Sequence, residues 1–339
     1  MYNLITIGDA VIDTHVFIDD ATVQCDVNHE NCQLCLDYAS KVPITGSFQS
    51  LGGNAANVAV GATKLGLKCA AITSLGTDAN GKLILEELKK NNVDTSLTSQ
   101  DPRTLTRYSI ILNFKGERTI LSYHQKRKYD WPRTVPPVDW IYYTSLSEGF
   151  ENLQEKLLAF LDKHGTARLA FNPGSFQIKN ALPKVREMLK RTDVLIVNLE
   201  EAEKISDLTL AKAKSVAGLI RKLLNDGAKE VVITDAANGA WAGNVDEVWR
   251  LESFPVKVVA KTGAGDAFSA GYLSARFYGH EIPLALSWGI ANSCGVISEV
   301  GSLKGILDKN GIKKMLAKFS TIKPSTVIAR SEATKQSLA

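Results

Sequence analysis

No apolar run in these 339 residues approaches the roughly twenty that a membrane-spanning helix needs. The opening MYNLITIGDAVID carries neither a basic cluster nor a small-residue cleavage site, so no secretory leader is expected. There is no Asn-x-Ser/Thr sequon. Neither sign of charge dominates: 40 Lys and Arg against 36 Asp and Glu leave a net +4, part of it in Lys323, Arg330 and Lys335. A near-neutral body argues against nucleic acid or an anionic membrane as partner. Cysteine is scarce, five residues with no even framework, which reads as free thiols in a reducing compartment. What remains is 45% hydrophobic and 22% charged, the composition of a globular, cytoplasmic enzyme. The length suits one large α/β domain with an accessory element.

Apolar, strand-like runs alternate with helix-length segments. Leu4–Gly8, Cys69–Leu75, Trp140–Tyr143, Arg168–Phe171, Val194–Val197 and Glu230–Thr234 read as strands. Gly53–Leu65 reads as a helix apolar nearly all round, hence central. That alternation predicts a mostly parallel sheet covered by helices on both faces. Two regions, residues 14–50 and 105–123, instead show short alternating strands and predict a small β element projecting from the main sheet. After Ala264 the pattern is helical to about Phe319. The tail 321–339 has no periodicity and is expected to be disordered.

The chemistry concentrates at Lys261-Thr-Gly-Ala-Gly-Asp266, followed by Ala-Phe-Ser-Ala-Gly-Tyr-Leu-Ser-Ala275. Ala264, Phe268, Gly271, Tyr272 and Ala275 share one helical face, so a helix begins within the Gly-Ala-Gly turn. Glycines there let a ligand approach the backbone, and the free N–H groups of Gly263, Ala264 and Gly265 would form an anion site suited to a phosphoryl group. Asp266, in the first turn, is placed to take a proton from an attacking hydroxyl. The plainer alternative is a helix start with Gly for turning and Asp for the dipole. Counting from Gly263, the sixth position is Phe268, so the dinucleotide fingerprint fails. Gly76 to Leu83 nearly matches a phosphate-binding loop but ends in Leu83, which lacks the magnesium-holding hydroxyl, and is read as a strand-to-helix turn.

Other polar residues gather where ligands are expected. Gly53 and Asn54 open the apolar helix, and Asn57, one turn on, shares a face with Asn54; the pair suits a polyhydroxylated ligand better than capping alone. Asp9 and Asp13 follow the first strand, at the carboxyl ends where open parallel sheets bind ligands. Asp13 can accept sugar hydroxyls, while Asp9 is the candidate for pinning a loop. Asn198 and Glu201 follow another strand; the spacing serves either magnesium and its waters or a capped helix.

Together these stretches resemble the ribokinase-like family of carbohydrate kinases, the PfkB family, from about Tyr2 to Phe319. The most specific parts are GGNAANVAVGATKLGLKCAAITSLGTDANG (Gly52–Gly81) and TGAGDAFSAGYLSA (Thr262–Ala275), in that order. The resemblance implies a ribokinase-like α/β fold with a β-sheet lid, and phosphorylation of a primary hydroxyl by ATP with Mg2+. It implies Asp266 as base, Gly263, Ala264 and Gly265 as the anion hole, and Asp13, Gly53, Asn54 and Asn57 as sugar contacts. Asn198 and Glu201 fall on the family's magnesium and phosphate motif, and Thr234, Gly239 and Asn292 where nucleotide contacts are expected. The lid would cover the sugar and, as in several relatives, pair two subunits.

The chain also departs from that pattern. Ala260 and Lys261 stand where many relatives carry Asp-Thr, so potassium dependence is not predicted, and the Lys261 ammonium is the candidate to replace part of a bound cation's charge. Ala236 replaces a common Gly in the nucleotide loop, and Asn172-Pro-Gly-Ser-Phe-Gln177 singles out no sugar. Cys25, Cys32 and Cys35 with His29 between them admit a zinc site bracing the lid, or else reduced thiols in a small β element. Two alternatives stand beside the sugar kinase. One is a nucleoside kinase in which Phe17, Phe48 or Tyr108 stacks on a base; the other is a non-catalytic sugar- or nucleotide-binding regulator.

Overall fold

In the computed structural model, which describes residues 1–26, 32–123 and 125–328, the chain forms β1 (Tyr2–Ile7), β2 (Val11–Ile18), β3 (Thr22–Cys25), β4 (Cys32–Cys35) and β5 (Ile44–Gly52) before its first helix, α1 (Asn54–Lys64). Next come β6 (Cys69–Ile72), β7 (Ser74–Gly76), α2 (Ala79–Lys90), β8 (Ser99–Asp101), β9 (Tyr108–Phe114), β10 (Glu117–Tyr123) and β11 (Val138–Tyr143). Strict α/β alternation follows: α3 (Glu151–Lys163), β12 (Arg168–Phe171), α4 (Ser175–Asn180), α5 (Leu182–Leu189), β13 (Val194–Asn198), α6 (Leu199–Ser206), α7 (Leu210–Ala213), α8 (Val216–Asn225) and β14 (Glu230–Thr234). The chain closes with β15 (Ala240–Gly243), β16 (Val248–Leu251), α9 (Ala264–Phe277), α10 (Ile282–Ile297), α11 (Lys309–Lys318) and β17 (Ser325–Ile328).

The large sheet runs β17-β16-β15-β14-β13-β12-β11-β1-β6, parallel from β6 to β14 and antiparallel beyond. Its central parallel strands are mostly apolar because both faces are covered. Alternation along β1 sends Leu4 into a core shared with α1, α9 and α10, and Ile5 and Ile7 into the core beneath α3, α5 and α8. Each parallel strand thus ends at one edge of the sheet, and the loops there carry Asp9, Ser145–Ser147, Asn172, Asn198 and Asp235.

The lid is a four-stranded sheet, β10-β9-β2-β5. It grows out of β1 through the short bend at Gly8–Ala10, and β2 pairs in parallel with β9 and antiparallel with β5. The expected small β element is therefore present, its first two strands lying between Val11 and Gly52 and the other two between Tyr108 and Tyr123. Gly76–Leu83 is the expected turn: Gly76 N–H donates to Thr106 Oγ1 (2.9 Å) and Gly81 N–H to Asp78 Oδ1 (3.1 Å).

Three expectations fail. Antiparallel pairing of β3 with β4 sets Cys25 opposite Cys32, and the two are joined as a disulfide, leaving Cys35, Cys69 and Cys294 as the free thiols. Sulfurs bonded to each other are not thiolate ligands, so the zinc site of Cys25, Cys32 and Cys35 does not form, and the expectation of five reduced cysteines falls with it; His29 lies outside the described residues. The tail is also not unstructured throughout. Residues 325–328 add β17 to the sheet edge, where β16 offers unpaired backbone groups, while 329–339 lie outside the described residues. Among the described residues no helix is long and apolar enough to cross a membrane.

Candidate active site

Two helices aim their N-termini at one point. α1 begins after Gly53 at φ +90°, where a Cβ would come within 2.4 Å of the Asp9 carbonyl oxygen. α9 begins after Gly263 at φ +78°, where a Cβ would press on Ser302. Only glycine fits either place, and each lets the helix start hard against the carboxyl edge of the sheet. Close approach of the helices, with Gly61 against Ala270, brings Asn57 and Asp266 together although 209 residues separate them. Asn57 Nδ2 donates to Asp266 Oδ2 at 2.8 Å, and Asn57 Oδ1 is buried with no partner among the described residues.

The N–H groups of Gly263, Ala264 and Gly265 likewise donate to no group among the described residues. They lie at the positive end of a fourteen-residue helix. Withdrawal from water raises the Asp266 carboxyl to about 6, the Asn57 bond opposes the rise and the negative charge of Asp13 adds to it. Asp13 is raised too, by burial first, against a hydrogen bond from Ser109 and the charge of Arg118.

A cavity of about 620 Å³ opens between this corner and the lid. Asp13, Gly53, Asn54, Asn57, Gly263 and Asp266 all line it, so the expected sugar contacts and the expected base converge. The lid adds Ser109, Ile111, Ile120 and Ser122. A second cavity, about 690 Å³, lies on the other side of the same helical turn; Thr234, Gly239, Ala264 and Gly265 line it, with an apolar wall from Phe254, Val256 and Ile290.

Not every expected residue joins a cavity. Asn292 is fully buried and both ends of its amide are used: Nδ2 donates to Ala267 O (2.7 Å) and Oδ1 accepts from Leu307 N (2.8 Å). It fastens α10 to α9 rather than touching the second cavity, where its neighbours Ser293 and Cys294 appear instead. Asn198 and Glu201 form a reciprocal capping box at the start of α6: Glu201 N donates to Asn198 Oδ1 (2.8 Å) and Asn198 N to Glu201 Oε2 (2.9 Å). Burial lifts the Glu201 carboxyl above its usual range. Burial first, and then the negative charges of Asp266 and Glu201, raise the Tyr142 phenol, so Tyr142 is within electrostatic reach of both carboxylates.

A buried polar network beside the first cavity was not legible in the sequence. Arg107 pairs through Nη1 with Asp9 and donates through Nη2 to Ser147 Oγ, and Tyr129 OH donates to Asp9 Oδ1 at 3.2 Å. Asp9, expected to pin a loop, does so, but through an ion pair that no local pattern announces. The one visible signal is an Arg directly before the apolar run Tyr108–Leu112.

A mostly parallel sheet with helices on both faces, a small second sheet and a cleft at the strand ends is the ribokinase-like architecture. Ribokinase of Arabidopsis thaliana, solved with ribose and ATP, superposes with TM-score 0.77 at 18% identity over 93% of this chain and 98% of that one. A nucleoside kinase of Methanocaldococcus jannaschii gives 0.73 at 19% identity over 94% and 99%. The family profile described as pfkB family carbohydrate kinase matches residues 14–309, and the chain belongs to that family. Its relatives include an ATP-dependent 6-phosphofructokinase of Thermoanaerobacterium thermosaccharolyticum, 21% identical over 93% of this chain and 94% of that protein. A fructokinase of Rhizobium leguminosarum is 27% identical over 66% and 70%. Enzymes of this family are phosphotransferases that act on sugar hydroxyl groups with ATP and Mg2+.

Proposed function

We propose that this chain transfers the γ-phosphoryl group of ATP to a hydroxymethyl group of a small, uncharged sugar or polyol. The observation that carries the reading is the junction at α9: Asp266 and Gly263 face the lid-side cavity, while Ala264 and Gly265, a few ångströms of backbone away, face the other. An acceptor and a donor occupying the two cavities meet at one helical turn whose amides are free. Asp266 orients the acceptor hydroxyl and takes its proton as the new bond forms. The amides of Gly263, Ala264 and Gly265 hold the migrating phosphoryl oxygens, and Asn57 fixes the rotamer of Asp266. The lid face carrying Asp13 and Ser109 supplies hydroxyl contacts and keeps out water, which would otherwise compete as acceptor.

The residues present suit Mg2+. Glu201 keeps Oε1 outside its capping box, and a half-buried carboxylate with a raised pKa favours a nearby cation. Among the described residues no three His, Cys, Asp or Glu side chains gather into a metal cage, so Glu201, with Asn198 alongside through water, would hold an ion otherwise ligated by phosphate oxygens. Bound there, Mg2+ neutralises phosphate charge.

An uncharged acceptor is favoured because Arg107, the buried cation lining the lid-side cavity, is already paired with Asp9. A sugar is favoured over a nucleoside because the lid aromatics are committed elsewhere. Phe48 stacks on His15 (4.4 Å between centroids), Tyr108 stacks on Tyr123 (5.1 Å), and Phe17 lines a different cavity. The test is ADP formation with ribose, fructose, their 6- or 5-phosphates and adenosine side by side. Neutral sugars are expected to exceed the others by at least tenfold in kcat/KM. Preference for adenosine would replace the reading with a nucleoside kinase, and no turnover of any acceptor would leave the non-catalytic regulator.

A further inference from the structure

A third cavity, about 510 Å³, separates the outer half of the lid from the segment leading into α9. Lid residues His15, Asn113 and Arg118 form one wall and Val258 to Thr262 the other. Three residues belong to more than one cavity, Val258 being shared with the nucleotide cavity. Thr262 lines this one and the acceptor cavity, and Lys261 lines this one and the nucleotide cavity. Lys261 is two residues ahead of the first free amide, and the backbone just before it is tethered, Val259 N and Ala260 N both donating to Ile297 O at 2.7 and 3.2 Å. Its side chain borders both cavities. It reaches across to the lid, 3.4 Å from Glu117 Oε1 at the start of β10, and the side chains are 67% and 79% exposed.

Those exposures decide what the pair can do. An ion pair in water contributes little, so the ammonium gives up Glu117 at small cost when a stronger anion arrives. A polyphosphate laid against the amides of Gly263 to Gly265 is such an anion, with several charges within reach of a four-carbon stem on a tethered backbone. We propose that Lys261 is a nucleotide-phosphate contact whose resting partner is Glu117, so that the lid hairpin and ATP compete for one ammonium. Binding of nucleotide then releases the lid from the α9 segment, and the lid becomes free to settle on the acceptor. This rests on the sugar-kinase reading above, since it needs a polyphosphate at α9.

The experiment is equilibrium binding of a non-hydrolysable ATP analogue with Mg2+ to the whole protein and to three variants, followed by acceptor turnover. Lys261→Met is expected to weaken the analogue at least tenfold, and Lys261→Arg to keep most of the affinity. Glu117→Gln is expected to tighten it two- to fivefold in the parent and to have no effect on top of Lys261→Met, the non-additivity that a shared partner produces. Both side chains are exposed, so folding is not at stake. Binding within twofold of the parent in Lys261→Met overturns the proposal, as does a Glu117→Gln effect of equal size in both backgrounds. A parent that binds the analogue yet phosphorylates no acceptor tells against the sugar-kinase reading instead, whatever the variants do.

Discussion

Asp266 has to be ionised to act as a base, and its folded-state pKa of about 6 sets where that happens. The acidic limb of kcat/KM is therefore expected to fall with a midpoint near pH 6, well above that of an ordinary aspartate. The same shift makes a stability statement. A carboxyl raised from its usual 3.8 is easier to protonate in the folded chain, so it contributes stability below about pH 4 and loses that contribution as pH rises through 6. Asp266→Asn removes the ionisable group. It is expected to cut turnover at least a hundredfold while acceptor binding persists, and to raise stability at pH 7.5 by up to ~3 kcal/mol, the gain vanishing toward pH 4. Denaturant melts at the two pH values check the second half; a variant no more stable at pH 7.5 than its parent would show that the burial cost is absent. Near-normal turnover would remove Asp266 from its role. Asp266 itself was legible in the sequence because a carboxylate at a Gly-Ala-Gly helix start is a local pattern. Asn57 as its hydrogen-bond partner was not, because that contact is made by the packing of α1 on α9.

At the level of elements, what could be read depended on whether the deciding interaction was local. Gly52-Gly53-Asn54 and Gly263-Ala264-Gly265 declared two helix starts because backbone sterics act within a residue or two. Asn292 was placed wrongly for the opposite reason: position on α10 follows from periodicity, but which face meets α9 depends on Gly271 packing against the Trp288 backbone. Gly53→Ala puts a side chain at φ +90° against the Asp9 carbonyl and is expected to cost roughly 2–4 kcal/mol, with a raised acceptor KM as Asn54 and Asn57 shift. Gly165→Ala, in open space, is the control and should stay within about 0.5 kcal/mol. Equal melts for the two variants would sink the steric account. The cysteine hairpin shows the same limit: spacing admitted metal or thiols, and strand register chose neither. Native protein is expected to show one accessible thiol, Cys35, and denatured unreduced protein three, because Cys69 and Cys294 are buried and Cys69 is further suppressed by a pKa pushed up to about 12. A count of five after denaturation without reductant would refute the disulfide.

At the scale of the whole molecule, the parallel sheet covered on both faces and the cleft at its strand ends followed from the alternation of apolar runs, but the joint between sheet and lid did not. That joint is the ion pair between Asp9, at the end of β1, and Arg107, at the start of β9, 98 residues later and almost wholly out of water. Nothing local marks the two as partners, since the pairing exists only once the lid has folded onto the sheet. Its loss should be costly in a particular way. Arg107→Met leaves the Asp9 carboxylate buried with only Arg127 and Tyr129 to oppose the penalty of burial, and is expected to destabilise by about 3 kcal/mol at pH 7. Lowering the pH lets that carboxyl protonate, so the deficit should shrink toward pH 4. Removing the charge as well, in Asp9→Asn with Arg107→Met, should recover at least half of it at pH 7, because an uncompensated charge is a larger cost than a missing pair. Urea melts of the parent and both variants at pH 4 and 7 measure this. A deficit independent of pH and unrelieved in the double variant would mean that Arg107 acts by filling space, and that its charge does not hold the lid to the sheet.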